Sequence, residues 1–164
     1  MPTYHRETWV DAPLSEVWEF HSRVEGLTAL TPGFMDLDIE RVVGPDGEQD
    51  PEVLEAGARI GMSLGPLGSV GRQSWTSVIT EREYDPEAGR AYFRDTMEDG
   101  PFPHWEHTHR FYENEEGETL VSDRVEYRLP GGPLGEALAP LSGPVGFAPM
   151  FRFRHRETKR LLEG

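Results

Sequence analysis

The sequence predicts an α+β fold in which a curved antiparallel sheet of about seven strands wraps around a long C-terminal helix. Two observations predict it. From Thr3 to Tyr127, short stretches of alternating apolar and polar residues are separated by turns rich in Gly, Pro, Asp and Asn, as in strands joined by hairpins. After the turn at Pro130–Pro133 the apolar spacing becomes helical, and only this last segment is long enough to cover one face of the sheet. We expect a single domain over residues 1–164.

One strand and two short helices open the chain. Thr3–Asp11 alternates and is rich in β-formers, and Pro13 marks its end. Ser15 is expected to cap a helix over Ser15–Arg23, because its hydroxyl can accept a hydrogen bond from a free N–H of the first turn. A second short helical segment follows over Val24–Leu30. The fold is therefore expected to have a helical pair directly after its first strand.

About six further strands are expected before the last helix. Gly65–Gly68 is predicted to form a hairpin, and Asp85–Gly89 and Asn114–Gly117 have the composition of turns. The strands between these turns are expected at Met35–Val43, Ala58–Leu64, Val70–Tyr84, Phe93–Met97, His104–Tyr112 and Asp123–Tyr127.

The last helix is predicted in two parts. Leu134, Leu138 and Leu141 recur at helical spacing, and Phe147–Leu162 continues the pattern. Between them, Ser142–Pro144 is expected to interrupt the helix, because proline lacks the N–H that the helical hydrogen bond needs.

The acidic composition limits the partners and suggests the setting. Thirty Asp and Glu against sixteen Lys and Arg give a net charge of −14, spread along the chain, so phosphate backbones and anionic lipids should be repelled. Nucleic acid is not expected as a partner. Lys159 is the only lysine, and such a surface suits concentrated salt, where self-repulsion is screened. We expect a halophilic host, with an acidic mesophilic protein as the alternative.

Targeting and redox features are absent from the sequence. No apolar run is long enough to cross a bilayer, and Met1–Val10 lacks the basic start and apolar centre of a secretory signal. We expect a cytoplasmic protein that does not insert into membranes. The chain has no cysteine, which excludes disulfides and thiolate chemistry.

Three of the expected strands carry polar side chains on a face that a sheet normally buries. Side chains at every second position of a strand share a face. One strand then groups His107 and His109 between two aromatic residues, and its neighbours add Asp95 and Asp123 among bulky apolar residues. A core has little use for such groups, so either they pair with one another or they line a pocket. The three shared faces are Trp105, His107, His109 and Phe111; Phe93, Asp95 and Met97; and Asp123, Val125 and Tyr127.

The chain resembles the START/Bet v 1-like superfamily, also called SRPBCC or polyketide cyclase/dehydrase-like, over nearly its whole length. Its order of elements is that of the helix-grip fold. The motifs Gly100-Pro101-Phe102, Trp105–Phe111, Asp123–Tyr127 and Leu129-Pro130 are similar to a bacterial and archaeal ligand-binding subgroup, and we expect a haloarchaeal source. The resemblance implies an elongated cavity between sheet and helix that holds lipids, hormones, polyketides or other apolar molecules. In some branches it implies cyclisation or dehydration.

The histidines and aspartates admit three interpretations. The favoured one is that each histidine hydrogen-bonds a carboxylate, which satisfies both groups inside an apolar lining. A second is proton transfer, since a histidine oriented by a buried aspartate can remove a proton next to a carbonyl. In that case the catalytic candidates are His107, His109, Asp95 and Asp123. A third is a two-histidine, one-carboxylate metal site, because His107 and His109 lie about 7 Å apart along the strand. We expect neither a metal nor another cofactor.

Several aromatic residues can be either cavity wall or core. Phe102, in a rigid turn at a strand end, is expected to gate the cavity or simply to close a hairpin. The arginines of the last helix (Arg152, Arg154, Arg156 and Arg160) are expected on a solvated face, with an inward arginine for a ligand carboxylate as the alternative. His155 is expected to be a satisfied structural histidine. The predicted ligand-binding residues are Trp75, Phe93, Asp95, Met97, Phe102, Trp105, His107, His109, Phe111 and Phe151.

The leading functional hypothesis is a protein that binds a small, largely apolar molecule, such as a lipid, quinone or polyketide-like compound, in an internal cavity. One alternative is a cyclase- or dehydratase-like enzyme that uses a His/Asp pair. Another is an interaction or chaperone-like protein that docks through the cavity rim. The sequence does not determine the oligomeric state.

Overall fold

The computed structural model describes residues 1–67 and 70–163, which form a seven-stranded antiparallel sheet and a long C-terminal helix. The strands lie in the order β1-β7-β6-β5-β4-β3-β2, so the first two strands of the chain form the two edges. This is the predicted α+β helix-grip fold. The strands are β1 (Thr3–Val10), β2 (Asp38–Val43), β3 (Arg59–Leu64), β4 (Gln73–Asp85), β5 (Arg90–Glu98), β6 (His104–Glu113) and β7 (Thr119–Arg128).

Helices α1 (Leu14–His21) and α2 (Val24–Ala29) carry the chain from one edge of the sheet to the other. The prediction that Ser15 caps α1 is wrong. The N-cap is Pro13, with no side-chain cap, and its carbonyl accepts the first helical hydrogen bonds. The free N–H of Leu14 is satisfied from across the fold by the Glu113 carboxylate, at 2.8 Å.

Strand β2 begins three residues later than Met35, where the sequence placed its start. Residues Gly33–Met35 form a short 3-10 turn, and Asp36 follows with a left-handed φ of 50°. A residue in this conformation cannot continue a strand, so the extended backbone starts only at Asp38. The hairpin predicted over Gly65–Gly68 lies partly outside the described residues, because Gly68 is not among them.

A β-bulge in β4 changes which of its side chains face the helix. The register against β5 shifts between Ile79 and Glu81, so two residues of β4 oppose one residue there. Before the bulge the odd-numbered residues Trp75 and Ile79 face the cavity, and after it Arg82 does. The extra residue therefore adds a charged side chain to a face that begins as aromatic and aliphatic.

The C-terminal helix is continuous, and the predicted interruption at Ser142–Pro144 is a π-helical turn instead. Helix α3 (Pro133–Ser142) passes through the π turn (Gly143–Phe147) into α4 (Ala148–Leu162). Because Pro144 has no N–H, the regular α-helical hydrogen bond is missing there, and one wide turn accommodates the defect.

The buried apolar residues form three clusters rather than one. The first surrounds Trp18 and Phe111, the second surrounds Ile60 and Met62, and the third joins Tyr127 to Phe147 and Phe151. The concave face of the sheet and α4 leave a space between these clusters. Among the described helices, none is both long and apolar enough to span a bilayer.

Candidate ligand-binding cavity

A cavity of about 930 Å³ lies between the concave face of the sheet, helix α2 and the C-terminal helix. This volume is near the upper end of the range for small-molecule sites. Two lining residues, Phe34 and Val145, are 73% and 75% exposed, so they mark where the cavity meets solvent. Most of the wall is apolar, and its side chains include Leu27, Leu30, Ile60, Met62, Trp75, Ile79, Phe93, Met97, Phe102, Trp105, Phe147, Met150 and Phe151.

A polar cluster on β5 and β6 interrupts this apolar wall. His109 and His107 stack with their ring centroids 3.5 Å apart, and Phe93 stacks on the other face of His109 at 3.9 Å. Asp95 Oδ2 lies 2.8 Å from His109 Nε2, and Asp95 Oδ1 accepts a hydrogen bond from the Trp105 indole at 3.3 Å. Asp95, His107 and His109 each offer a metal-ligand atom, and these atoms lie within 4.8 Å of one another.

Asp123 lies behind the two histidines and contacts three imidazole rings. Its Oδ1 is 2.7 Å from His107 Nε2 and 3.3 Å from His109 Nδ1. Its Oδ2 is 2.6 Å from Nε2 of His155 on α4. Asp123 is 3% exposed and does not line the cavity. It therefore orients the wall histidines from the rear and ties the helix to the sheet.

The contacts within this cluster shift the pKa values of its members in different directions. Burial raises the pKa of Asp123, but hydrogen bonds from the three imidazoles outweigh burial and hold that pKa well below its usual value. Burial likewise opposes the bonds and charges that lower the pKa of Asp95. Burial and the neighbouring His109 lower the pKa of His107, whereas the two carboxylates overcome burial and raise the pKa of His109. Two stacked imidazoles thus have pKa values shifted in opposite directions.

A third histidine reaches the cavity from the end of α1. His21 Nδ1 donates to the carbonyl of Val17 at 2.8 Å when the ring is neutral, which leaves Nε2 as an acceptor. Burial lowers the pKa of His21 to about 3, and the charge of Arg154 adds to this effect. The ring is therefore neutral at physiological pH and can accept a hydrogen bond from a ligand.

Three of the arginines that line the cavity, Arg82, Arg154 and the exposed Arg156, form no ion pair among the described residues, and the first two of them are at least partly buried. Arg82 donates to Ser22 Oγ at 2.9 Å and lies 4.6 Å above the Trp18 ring. Nε of Arg154 is buried and has no hydrogen-bond partner among the described residues. The described ion pairs involve none of these three side chains, although the chain has 30 acidic residues against 16 basic ones. These arginines give part of the wall a positive charge.

The structure brings most of the sequence-predicted ligand-binding residues together. Phe111 is the exception: it is fully buried beside Trp18, because the first core cluster fills the space that the cavity would otherwise occupy. Phe102 packs against Trp105 and Phe147, with ring centroids 5.1 and 6.2 Å away. The predicted residues on the wall are Trp75, Phe93, Asp95, Met97, Phe102, Trp105, His107, His109 and Phe151.

Sequence reasoning missed other residues of the wall. Arg82 follows the bulge, and His21 follows Val17 by one helical turn, a spacing that signals a shared helix face. The solvated face predicted for the arginines of the last helix does not hold for Arg154, which lines the cavity. Arg156 also lines the cavity but is exposed, and Arg160 pairs with Glu157 as expected.

Comparisons with known proteins agree with this architecture. The family described as polyketide cyclase / dehydrase and lipid transport matches residues 10–155. No curated protein matches the chain. A Thermus thermophilus protein of known structure is 18% identical, with a TM-score of 0.63 over 99% of this chain and 97% of its own.

Two enzyme-related structures are also similar. Norcoclaurine synthase from Thalictrum flavum is 18% identical, with a TM-score of 0.65 over 99% of this chain and 87% of its own. The di-domain ARO/CYC protein BexL of the BE-7585A biosynthetic pathway is 20% identical, with a TM-score of 0.62 over 97% of this chain and 47% of its own. At these identities the likeness shows a shared fold and nothing about the reaction.

Proposed function

Because the chain belongs to the polyketide cyclase/dehydrase and lipid transport family, we propose that it binds a small, largely apolar molecule of the lipid, quinone or polyketide-like class in its internal cavity. One observation carries the proposal: the cavity of about 930 Å³ is walled mainly by aromatic and aliphatic side chains. Membership in the family supports a ligand-binding or cyclase-like role. Burial of apolar ligand surface against such a wall is favourable by roughly 25 cal/mol per Å² before the costs of association.

The polar groups of the wall are proposed to fix the orientation of the ligand. His107 and His109 are held by Asp123, so their positions are set before a ligand enters. His21 offers an acceptor and Arg154 offers an unused donor. A molecule with an apolar body and a carbonyl, hydroxyl or carboxylate group fits this distribution. The predicted ligand-binding roles of Trp75, Asp95 and Trp105 belong to the same proposal.

A cavity-filling variant tests the proposal. Ser77 lines the cavity, and Ser77→Phe would place an aromatic ring inside it. Ser74→Phe makes the same replacement on the exposed side of the same strand and serves as the matched control. We expect Ser77→Phe to weaken binding of the neutral apolar fluorophore N-phenyl-1-naphthylamine by about tenfold or more, and Ser74→Phe to leave it unchanged. Equal affinities of the two variants would count against an internal binding site.

Native mass spectrometry of the protein purified from its own host in high salt identifies the ligand class. A co-purifying lipid, quinone or polyketide-like mass that Ser77→Phe loses and Ser74→Phe retains supports the proposal. A co-purifying mass retained by both variants would place the bound molecule elsewhere.

A second candidate function is acid–base catalysis of a cyclisation or dehydration. The opposite pKa shifts of His107 and His109 favour it, since an acid and a base that act at one pH need pKa values set apart. Here His109 would act as the acid and His107 as the base, with Asp95 and Asp123 as orienting carboxylates. Incubation of the extracted molecule with the protein tests this function. A product lighter by one water, formed with a bell-shaped pH profile and lost in His109→Gln, is expected; a molecule recovered unchanged leaves binding as the function.

A further inference from the structure

The two stacked histidines are arranged so that each has one nitrogen held and one nitrogen directed to a common point. Asp123 Oδ1 holds His107 Nε2 at 2.7 Å and His109 Nδ1 at 3.3 Å. The other nitrogens, His107 Nδ1 and His109 Nε2, lie 3.8 and 2.8 Å from Asp95 Oδ2. Both rings therefore turn their second nitrogen toward the same carboxylate oxygen.

Each of the two carboxylates also has a hydrogen-bond partner on its other oxygen atom. The Trp105 indole N–H donates to Asp95 Oδ1, which leaves Asp95 Oδ2 as the atom near the imidazoles. His155 occupies Oδ2 of Asp123. In metalloproteins, a ligating imidazole characteristically donates its other N–H to a carboxylate, and ligating carboxylates are hydrogen-bonded in turn. Each member of this group has such an outer partner.

The donor atoms and their separation suit one small cation. The ligand atoms of Asp95, His107 and His109 all lie within 4.8 Å of one another, so small side-chain rotations bring them to about 2.0–2.2 Å from a shared ion. Two imidazoles and one carboxylate are the donors that Zn²⁺, Fe²⁺ and Co²⁺ accept, and the three side chains line the cavity. A divalent ion would also offset the formal charges of the partly buried Asp95 and the buried Asp123.

We propose that Asp95, His107 and His109 bind one divalent transition-metal ion on the cavity wall, with Asp123 and Trp105 as the groups that orient its ligands. The ion takes the place of the hydrogen bond between Asp95 and His109, while the bonds to Asp123 remain. Its remaining coordination positions face the cavity, where an oxygen atom of a bound molecule can reach it. The proposal goes beyond the proposed binding function and does not depend on which molecule fills the cavity.

The test is titration with Co²⁺, followed by its visible absorption, of protein purified without a histidine tag and freed of small molecules. Molar NaCl in the buffer suppresses weak binding to the acidic surface. The expected result is one equivalent of Co²⁺ per chain, displaced by Zn²⁺. Asp95→Asn and His109→Gln should each lose saturable binding. His104→Gln, on the opposite face of the same strand, should retain it.

Asp123, the outer partner of both histidines, allows a further test in which Co²⁺ affinity is weakened and not abolished. Asp123→Asn keeps all three ligands and is expected to weaken Co²⁺ binding by about 10- to 100-fold. If a variant does not fold, proton NMR of the wild-type protein decides, because bound Co²⁺ should shift the ring protons of the ligands His107 and His109 far more than those of His104. No saturable absorption at millimolar Co²⁺ overturns the proposal. So does a signal that survives both Asp95→Asn and His109→Gln.

Discussion

Replacement of Asp123 by asparagine should cost a large part of the stability of the fold. Asn has the same shape but no charge, and it offers an N–H group where one of the imidazoles needs an acceptor. Loss of one charge-assisted hydrogen bond costs about 1.5–3 kcal/mol, and the buried donor left without a partner adds about 1–3 kcal/mol. Because Asp123 is only 3% exposed and contacts His107, His109 and His155, solvent cannot replace the lost bonds. We expect a decrease of about 3–5 kcal/mol in the free energy of unfolding.

Urea-induced unfolding measures this change. The pKa of Asp123 is held well below its usual value, so its stabilising effect is fully present above about pH 4 and is lost as the pH falls through the folded-state pKa. Measurements at pH 7 therefore record the whole effect. The exposed residue Asp38 gives the matched control, and Asp38→Asn should change the free energy of unfolding by less than about 0.5 kcal/mol.

Unfolding at low and high salt distinguishes the effect of the buried Asp123 network from that of repulsion between surface charges. Molar NaCl screens charges on the surface but not a desolvated cluster, so the difference between Asp123→Asn and the wild type should persist there. If Asp123→Asn unfolds within about 0.5 kcal/mol of the wild type at both salt concentrations, with an unchanged m-value, the imidazoles do not depend on this carboxylate and the reasoning is refuted.

Three further predictions concern pH, ligand charge and packing. Burial lowers the pKa of His21 to about 3, so the neutral ring stabilises the fold fully above pH ~6.5 and less as the pH drops. The wild-type protein should therefore lose up to about 2 kcal/mol more free energy of unfolding between pH 7 and 5 than His21→Gln does, as measured by urea unfolding, and identical pH profiles would contradict this. Arg154→Gln should weaken binding of 1-anilinonaphthalene-8-sulfonate about tenfold but not that of uncharged N-phenyl-1-naphthylamine, as measured by fluorescence titration; equal losses would mean that the guanidinium only packs. A Cβ at Gly26 would lie 2.1 Å from the carbonyl oxygen of Phe20, so Gly26→Ala should lower the free energy of unfolding, measured by thermal denaturation, by at least ~2 kcal/mol. A Cβ at Gly33 would meet nothing within 4 Å, so Gly33→Ala should change that free energy by less than ~0.5 kcal/mol.

The sequence predicts the architecture well because strand alternation and turn composition are local signals. The shared faces containing Asp95, His107 and Asp123 follow from a period of two within each strand. The same rule fails at Arg82, because the bulge after Ile79 adds one residue and exchanges the two faces. It also cannot show where a cavity ends.

Long-range contacts explain the other differences. Phe111 has the predicted orientation but packs on Trp18, a helical residue far away in the chain. His155 is satisfied at Nε2, which bonds Asp123, but its Nδ1 is buried without a hydrogen-bond partner among the described residues, so the expectation of a satisfied histidine holds for one nitrogen only. Asp123 lies 32 positions away, and no local pattern indicates that pairing. The inward position of Arg154 depends on how the last helix packs on the sheet, which no local pattern indicates.

The π turn has a consequence for comparing members of this family. A residue of a regular α-helix advances by about 100°, and a π turn accommodates one surplus residue without rotating the helix that follows. The buried side of α4, marked by Phe151, His155 and Thr158, therefore keeps the helical phase of α3, in which Gly135 is buried. A homologue that lacks Pro144 and is one residue shorter within Gly143–Phe147 should have an unbroken α-helix and present the same positions to the sheet. A single-residue gap there in an alignment would mark a change in helix geometry while the positions that face the ligand stay matched.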